Sequence, residues 1–217
     1  MSFTLCTSRL LAVTTLLASL LVALPPMPVQ AAGLPAEEPT AVIRQTVDGI
    51  LEQLRTLPDA QSRRDRISAL VRGQFSFELM AQGAMGPYWH QASAQQRSTF
   101  VALFTELLEA TYMGRITAYT NEQVRYGQQQ VRQNRALVET YIQSGNTEIP
   151  IFYKLLPHQD RWQVYDVVIE EVSLVRTYRS SYTDILRRRG IPGLLQEMEQ
   201  KLEQLRAETP PAVEERA

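Results

Sequence analysis

Cysteine is almost absent. The 217 residues hold one, Cys6, and it precedes an apolar run instead of following it. A lipidated cysteine would follow such a run, so no lipid anchor is expected. The rest of the chain has no disulfide, no thiolate nucleophile and no cysteine metal ligand. Histidine is nearly as scarce. His90 and His158 each sit in a predicted loop, with no second histidine at metal-ligand spacing. H-E-x-x-H, G-x-S-x-G and glycine-rich phosphate loops are missing. An enzyme needs positioned acids, bases, nucleophiles or metals. No such constellation is present, and the expectation is no catalysis, no metal and no cofactor. Lysine occurs only at Lys154 and Lys201, and the net charge is −1. A nucleic-acid binder would be clearly basic, so that class is excluded.

Charge is also missing from the first 36 residues, apart from Arg9. The run Leu10–Leu24 is apolar and is followed by Pro25, Pro26 and Pro28, then Val29-Gln30-Ala31-Ala32. At 15 residues the run is short for a membrane-spanning helix, which needs about 20. Small residues at Val29 and Ala31 suit signal peptidase. Residues 1–32 therefore read as a cleaved export signal, whose loss takes the net charge to −2. The location expected is the periplasm. Residues 33–39 read as a linker, 40–206 as one domain and 207–217, with Pro210 and Pro211, as a disordered tail.

What is present is apolar periodicity of two kinds. Ile43, Val47, Ile50, Leu51 and Leu54 form a helical stripe that Pro58 ends. Helices are predicted from Asp59 to about Arg72 and from Ser76 to Met85, stopped by Gly86-Pro87. Ser93-Ala94-Gln95-Gln96 fits a capping box opening a long helix with Phe100, Phe104, Leu107, Leu108 and Tyr112, which Gly114 is expected to bend or break. The second half predicts strands over 136–143, 147–156 and 161–169, with a short first one over 123–126 and a turn over 157–160. Helix returns after Val175, is broken at Gly190-Ile191-Pro192-Gly193, and closes with Leu194, Leu195, Met198, Leu202 and Leu205. This order makes an α+β fold with a helical N-terminal half.

Two acidic features deserve weighing. Glu170-Glu171 reads as surface or turn carboxylates. Asp166 shares a predicted strand face with Trp162, Val164 and Val168, and an inward carboxylate would need a partner, Arg176 or Arg179.

Three stretches resemble a known family. Phe75-Ser76-Phe77-Glu78-Leu79-Met80-Ala81 with Met85-Gly86-Pro87-Tyr88-Trp89 is similar to the first signature of the MlaC family. Gln96-Arg97-x-x-Phe100, Phe104 and Leu107-Leu108-x-x-Thr111-Tyr112 resemble the second. The third is resembled by Trp162-Gln163-Val164-Tyr165-Asp166-Val167, Val172-Ser173-Leu174-Val175, Tyr178-Arg179 and Ile185-Leu186. The likeness covers roughly residues 39–205. Ser76 stands where the family has Asp, and Glu171 where it has Gly. The family comprises periplasmic phospholipid-binding proteins, also called toluene-tolerance auxiliary proteins of an ABC transport system. The resemblance implies a curved antiparallel sheet wrapped by helices, of the nuclear-transport-factor and cystatin-like class. It also implies a monomeric carrier of phospholipid, moving cargo between an outer-membrane lipoprotein–porin complex and an inner-membrane ABC transporter with its membrane-anchored binding subunit. That traffic maintains outer-membrane lipid asymmetry. A hopanoid carrier, a chaperone for unfolded outer-membrane proteins and a small hydrolase or isomerase using Asp166 are the competing readings.

Strand alternation then places the expected pocket. With Glu139 and Lys154 toward water, Val138, Thr140 and Ile142 face inward, as do Ile151, Tyr153, Leu155, Trp162 and Val164. Phe100, Phe104, Leu107, Leu108 and Tyr112 are expected to cover them. Met80, Met85 and Trp89 are expected at the mouth, where methionine adapts to mixed chains.

Overall fold

The computed structural model describes residues 34–118 and 123–208, all within one compact unit, Leu34–Ala217. The expected export signal and positions 209–217 of the expected tail lie outside the described residues.

Among the described residues, five α-helices and five strands follow in the order helices, meander, helix: α1 Pro39–Thr56, α2 Ala60–Gln74, α3 Phe77–Met85, α4 Ala94–Thr117, β1 Gln123–Arg132, β2 Arg135–Ser144, β3 Thr147–His158, β4 Arg161–Ile169, β5 Val172–Ser173 and α5 Leu174–Glu208. A 3₁₀ helix, Gly86–Gln91, links α3 to α4. The helix starts are set by side chains. Asp59 accepts from the Ser62 N–H at 2.6 Å, and Ser173 Oγ accepts from the Arg176 N–H at 3.1 Å. Ser93 and Gln96 form the expected capping box, with Oγ accepting at 3.2 Å and Oε1 at 2.9 Å. Proline opens α1, where its missing N–H costs nothing, so Pro39 belongs to the helix and not to a linker. Gly114 leaves α4 continuous, because a lone glycine removes no helical hydrogen bond. Gly190 does break α5, with φ 65 and ψ −171, and Pro192 follows inside the second half.

The strands form one antiparallel sheet in the order β1-β2-β3-β4-β5. Each connection is two residues long, and positive φ occurs in every one: Gln133, Gly145, Gln159 with Asp160, and Glu170 with Glu171. Two central residues at positive φ match the right-handed twist of the flanking strands. The third turn is therefore Gln159-Asp160, and Pro157 lies inside β3, paired with Trp162. β1 is ten residues, not four. Its Gln-rich half carries little strand propensity, but pairing with β2 past a bulge between Tyr126 and Gln129 extends it.

A second bulge corrects the face of Asp166. Lys154 pairs with Asp166 and Leu155 with Val164, so Tyr165 is an extra residue on β4. Parity shifts by one, and Val167, not Asp166 or Val168, joins Trp162 and Val164 on the inward face. Asp166 is buried on the other face, where it accepts from Lys154 Nζ at 2.9 Å, Ser173 Oγ at 2.7 Å and the Val175 N–H at 3.2 Å. The expected partners Arg176 and Arg179 are replaced by Lys154. Arg179 instead donates to the Gly83 carbonyl.

The interior divides into two cores. α3, the 3₁₀ helix, α4 and α5 enclose one, and the inward sheet face with α1 encloses the other. Phe75 packs against both, and Ser76 N–H donates to the Val164 carbonyl at 2.9 Å, so this dipeptide joins them.

Glu171, at φ 68, holds a conformation that glycine adopts without the Cβ penalty. Glu171→Gly is expected to stabilise the fold by about 0.5–1 kcal/mol, the relief exceeding the extra freedom of the unfolded chain. Urea unfolding checks this, and a lowered midpoint would refute it.

Candidate functional site

The inward sheet face is mostly apolar but closed only at one end. Ala136, Val138, Leu155, Trp162, Val164 and Val167 are buried, whereas Ile142, Ile149, Ile151, Tyr153 and Ile169 remain half-buried. The register puts these in rows: Val138 faces Tyr153, Thr140 faces Ile151 and Ile142 faces Ile149.

Burial falls in step along the covering helix. Val42 and Ile43 are buried, while Val47, Ile50, Leu51 and Leu54 are half-buried. The helix is tied down at its start. Thr40 donates to Gln129 Oε1 from its N–H at 3.0 Å and its hydroxyl at 2.8 Å, and Gln129 Nε2 donates to Glu38. Gln129 lies opposite Val138, in the closed part of the sheet. Two turns later the Tyr126 hydroxyl donates to Asp48 Oδ1 at 3.0 Å, and Tyr126 lies opposite Thr140. α1 therefore runs from the closed rows toward the half-buried ones.

Few polar groups interrupt this face. Thr140 Oγ1 donates to the Ile151 carbonyl at 3.0 Å, satisfying a buried hydroxyl. Burial pushes the Tyr153 hydroxyl up to about 12, with the Thr140 hydroxyl opposing the rise. Burial and the Asp48 carboxylate raise Tyr126 as well. Trp162 Nε1 is buried without a hydrogen-bond partner among the described residues.

The other core is closed. Met80, Met85, Trp89, Phe100, Phe104, Leu107 and Leu108 are each at most 8% exposed. Phe100 stacks on Phe104 at 5.7 Å, and both meet Tyr182 edge-on. Tyr178 meets Phe104 edge-on at 5.3 Å. The Tyr182 hydroxyl is buried and unpartnered, and burial raises its pKa.

The expected pocket set is thus split. Val138, Ile142, Ile151, Tyr153 and Val164 share the inward sheet face. The α4 residues Phe100, Phe104, Leu107, Leu108 and Tyr112 pack toward α3 and α5 and do not cover that face. Met80, Met85 and Trp89 are interior to the same helical core, not at a mouth. The reason is that α3 and α5 offer α4 a complete apolar partner. The cover over the sheet comes from Val42, Ile43 and Val47 of α1 and from Phe75. The stripe in α1 was visible in the sequence, but nothing there said which surface it meets.

Among the described residues no group of three His, Cys, Asp or Glu side chains is placed to hold a metal ion, and no helix is long and apolar enough to cross a membrane. Asp166 has its oxygens engaged by an ammonium, a hydroxyl and a helix N–H, on the face away from the apolar rows.

A family model described as MlaC protein matches residues 43–200. The chain belongs to the MlaC family. It is similar to the intermembrane phospholipid transport system binding protein MlaC of Haemophilus influenzae, at 25% identity over 135 residues. That stretch covers 59% of this chain and 63% of the relative. Its fold is similar to that of a phospholipid-binding protein from Ralstonia solanacearum solved in complex with a phospholipid. There the TM-score is 0.74 at 24% identity, over 78% of this chain and 99% of that one. In this chain the apolar sheet face lies under α1, whose burial declines from Val42 and Ile43 to Val47.

Two substitutions separate the cores. Leu108→Trp overpacks the closed helical core and is expected to cost about 1–3 kcal/mol. Ile151→Trp, on a half-buried position, is expected to cost less than about 1 kcal/mol. Thermal melts of both variants check the difference, and equal losses would show that the sheet face is as tightly filled as the helical core. Asp166→Ala is expected to cost about 2 kcal/mol, because it strands an ammonium and a helix N–H, with Lys154 partly relieved by solvent. A variant as stable as the parent would remove Asp166 as the tie between α5 and the sheet.

Proposed function

We propose that this protein is a periplasmic phospholipid carrier. Its residues 1–32 act as the cleaved export signal, and it catalyses no reaction. The carrying observation is the half-buried apolar sheet face beneath α1, in a chain of the MlaC family. The name of the Haemophilus relative and the phospholipid bound to the Ralstonia protein support the same cargo. On this reading Ile142, Ile151, Tyr153 and the inner side of α1 line the acyl-chain site, and Val138 and Val164 form its closed end. The helical core, with Met80, Met85, Trp89, Phe100, Phe104, Leu107, Leu108 and Tyr112, is the frame that holds the sheet. The carrier exchanges lipid with an outer-membrane lipoprotein–porin complex and with an inner-membrane ABC transporter through its membrane-anchored subunit. That exchange serves outer-membrane lipid asymmetry.

The energetics fit a covered site better than an open groove. Each buried methylene is worth about 0.8 kcal/mol, so one chain of about 16 carbons represents about 13 kcal/mol. A carrier has to recover most of this when lipid leaves a bilayer. The half-buried apolar side chains of the sheet face, with Val47 above them, are the surface able to supply it.

Protein purified natively from a Gram-negative periplasm is expected to yield phospholipid on organic extraction and mass spectrometry. Ile151→Trp is expected to lower the lipid-to-protein ratio at least twofold with the fold retained. Natively prepared protein free of phospholipid would overturn the reading, and hopanoid or bound peptide in its place would identify a different cargo.

A further inference from the structure

Arg44 and Asp48 lie one turn apart on α1, beside the apolar stripe and over the sheet's β1 edge. Both are exposed. The Arg44 guanidinium lies 3.9 Å from the Tyr126 ring centroid, and Asp48 Oδ1 accepts the hydroxyl of that same ring. One tyrosine therefore holds a cation over its face and an anion at its tip. Although the spacing would permit an ion pair, no bond joins Arg44 to Asp48, and the guanidinium N–H groups meet no acceptor among the described residues. The second Asp48 oxygen likewise has no partner there. Stacking occupies the flat face of a guanidinium and leaves its N–H fork free, the geometry that suits a phosphate oxygen pair.

We propose that Arg44 and Asp48 form a headgroup site for a zwitterionic phospholipid, Arg44 taking the phosphodiester and Asp48 the terminal ammonium. This rests on the phospholipid-carrier reading above. The pair sits where such a headgroup has to be. Tyr126 is on the inward face, opposite Thr140, so chains lying on the half-buried rows would leave their polar end at this rim. An anionic lipid without the ammonium would gain the Arg44 contact but meet Asp48 as a like charge. The selectivity is modest, because exposed ion pairs are worth about 0.2–1 kcal/mol, or roughly 1.4- to fivefold.

The test equilibrates the purified full-length mature protein with vesicles of equimolar phosphatidylethanolamine and phosphatidylglycerol carrying identical chains, then quantifies both lipids bound per protein. Wild type is expected to favour phosphatidylethanolamine. Asp48→Asn keeps an oxygen to accept the Tyr126 hydroxyl but loses the charge, and the preference should fall to parity, a change of about 1.4- to fivefold. Asp48→Glu should restore it. Arg44→Gln should speed loss of both lipids to acceptor vesicles. An unchanged lipid ratio in Asp48→Asn overturns the site, as does an equal loss of preference in Asp48→Asn and Asp48→Glu, which would mark the effect as structural. If neither lipid binds the wild type, the carrier reading itself fails. If both bind and the ratio ignores Asp48, only the headgroup site fails.

Discussion

A curved meander makes one long apolar face, and a single helix cannot cover all of it. Most of the molecule follows from that constraint. α1 is pinned where Thr40 and Glu38 meet Gln129, so cover is complete over Val138, Leu155 and Val164 and declines toward Ile142 and Ile149. Were α4 to lie over the sheet instead, its aromatic stripe would seal the face. It does not, because α3 and α5 surround that stripe first. The helical core is therefore self-contained, and the sheet keeps apolar surface that the protein itself leaves half-buried.

Joining two such cores requires something stronger than incidental packing. Phe75 contributes to both, and the backbone pairing of this stretch with Val164 fixes α3 to β4. On the opposite face Asp166 anchors the start of α5 through Ser173 and Val175 while Lys154 neutralises it. The β4 bulge makes both possible. It lets Val164 and Val167 face inward while Asp166, between them, points to the helix side. Were Tyr165 paired in regular register instead of bulged, the carboxylate would enter the apolar rows, where burying it unpaired is prohibitive. α1 joins this frame through Gln129 and Tyr126 of β1, and α2 through Gln74, which donates to the Trp162 carbonyl at 2.7 Å, and through the Arg72–Glu109 pair with Ser68.

Much of this was legible in the residues. Capping chemistry at Ser93, the helix start at Asp59, the break at Gly190, and alternation along β2 and β3 are local signals, and the structure carries all of them. β1 was read short because Gln128, Gln129 and Gln130 carry little propensity, and its length comes from the partner strand. Asp166 was put on the wrong face because a bulge shifts parity without any mark in the sequence. The candidate site was half legible. Strand parity found Val138, Ile142, Ile151 and Tyr153, but apolar stripes on α1 and α4 look alike, and only tertiary packing decides which of them meets the sheet.

The division into a closed core and an open one bears on how a carrier can work at all. A site that fills itself when empty would compete with its cargo, and one that stays fully open would lose cohesion. Half-buried isoleucines are a compromise. They retain part of their burial without ligand, and the increment still available scales with area at about 25 cal/mol per Å². Ile142, Ile149, Ile151 and Ile169 on the sheet, and Val47 on α1, are half-buried and hold that increment. Isoleucine and leucine ask nothing of a chain but its volume, so selectivity has to come from the rim, where charge is exposed and each contact is weak. On the proposed carrier reading, weak rim contacts over a nonspecific interior suit release, because the bulk of the affinity would be matched by a bilayer receiving the lipid.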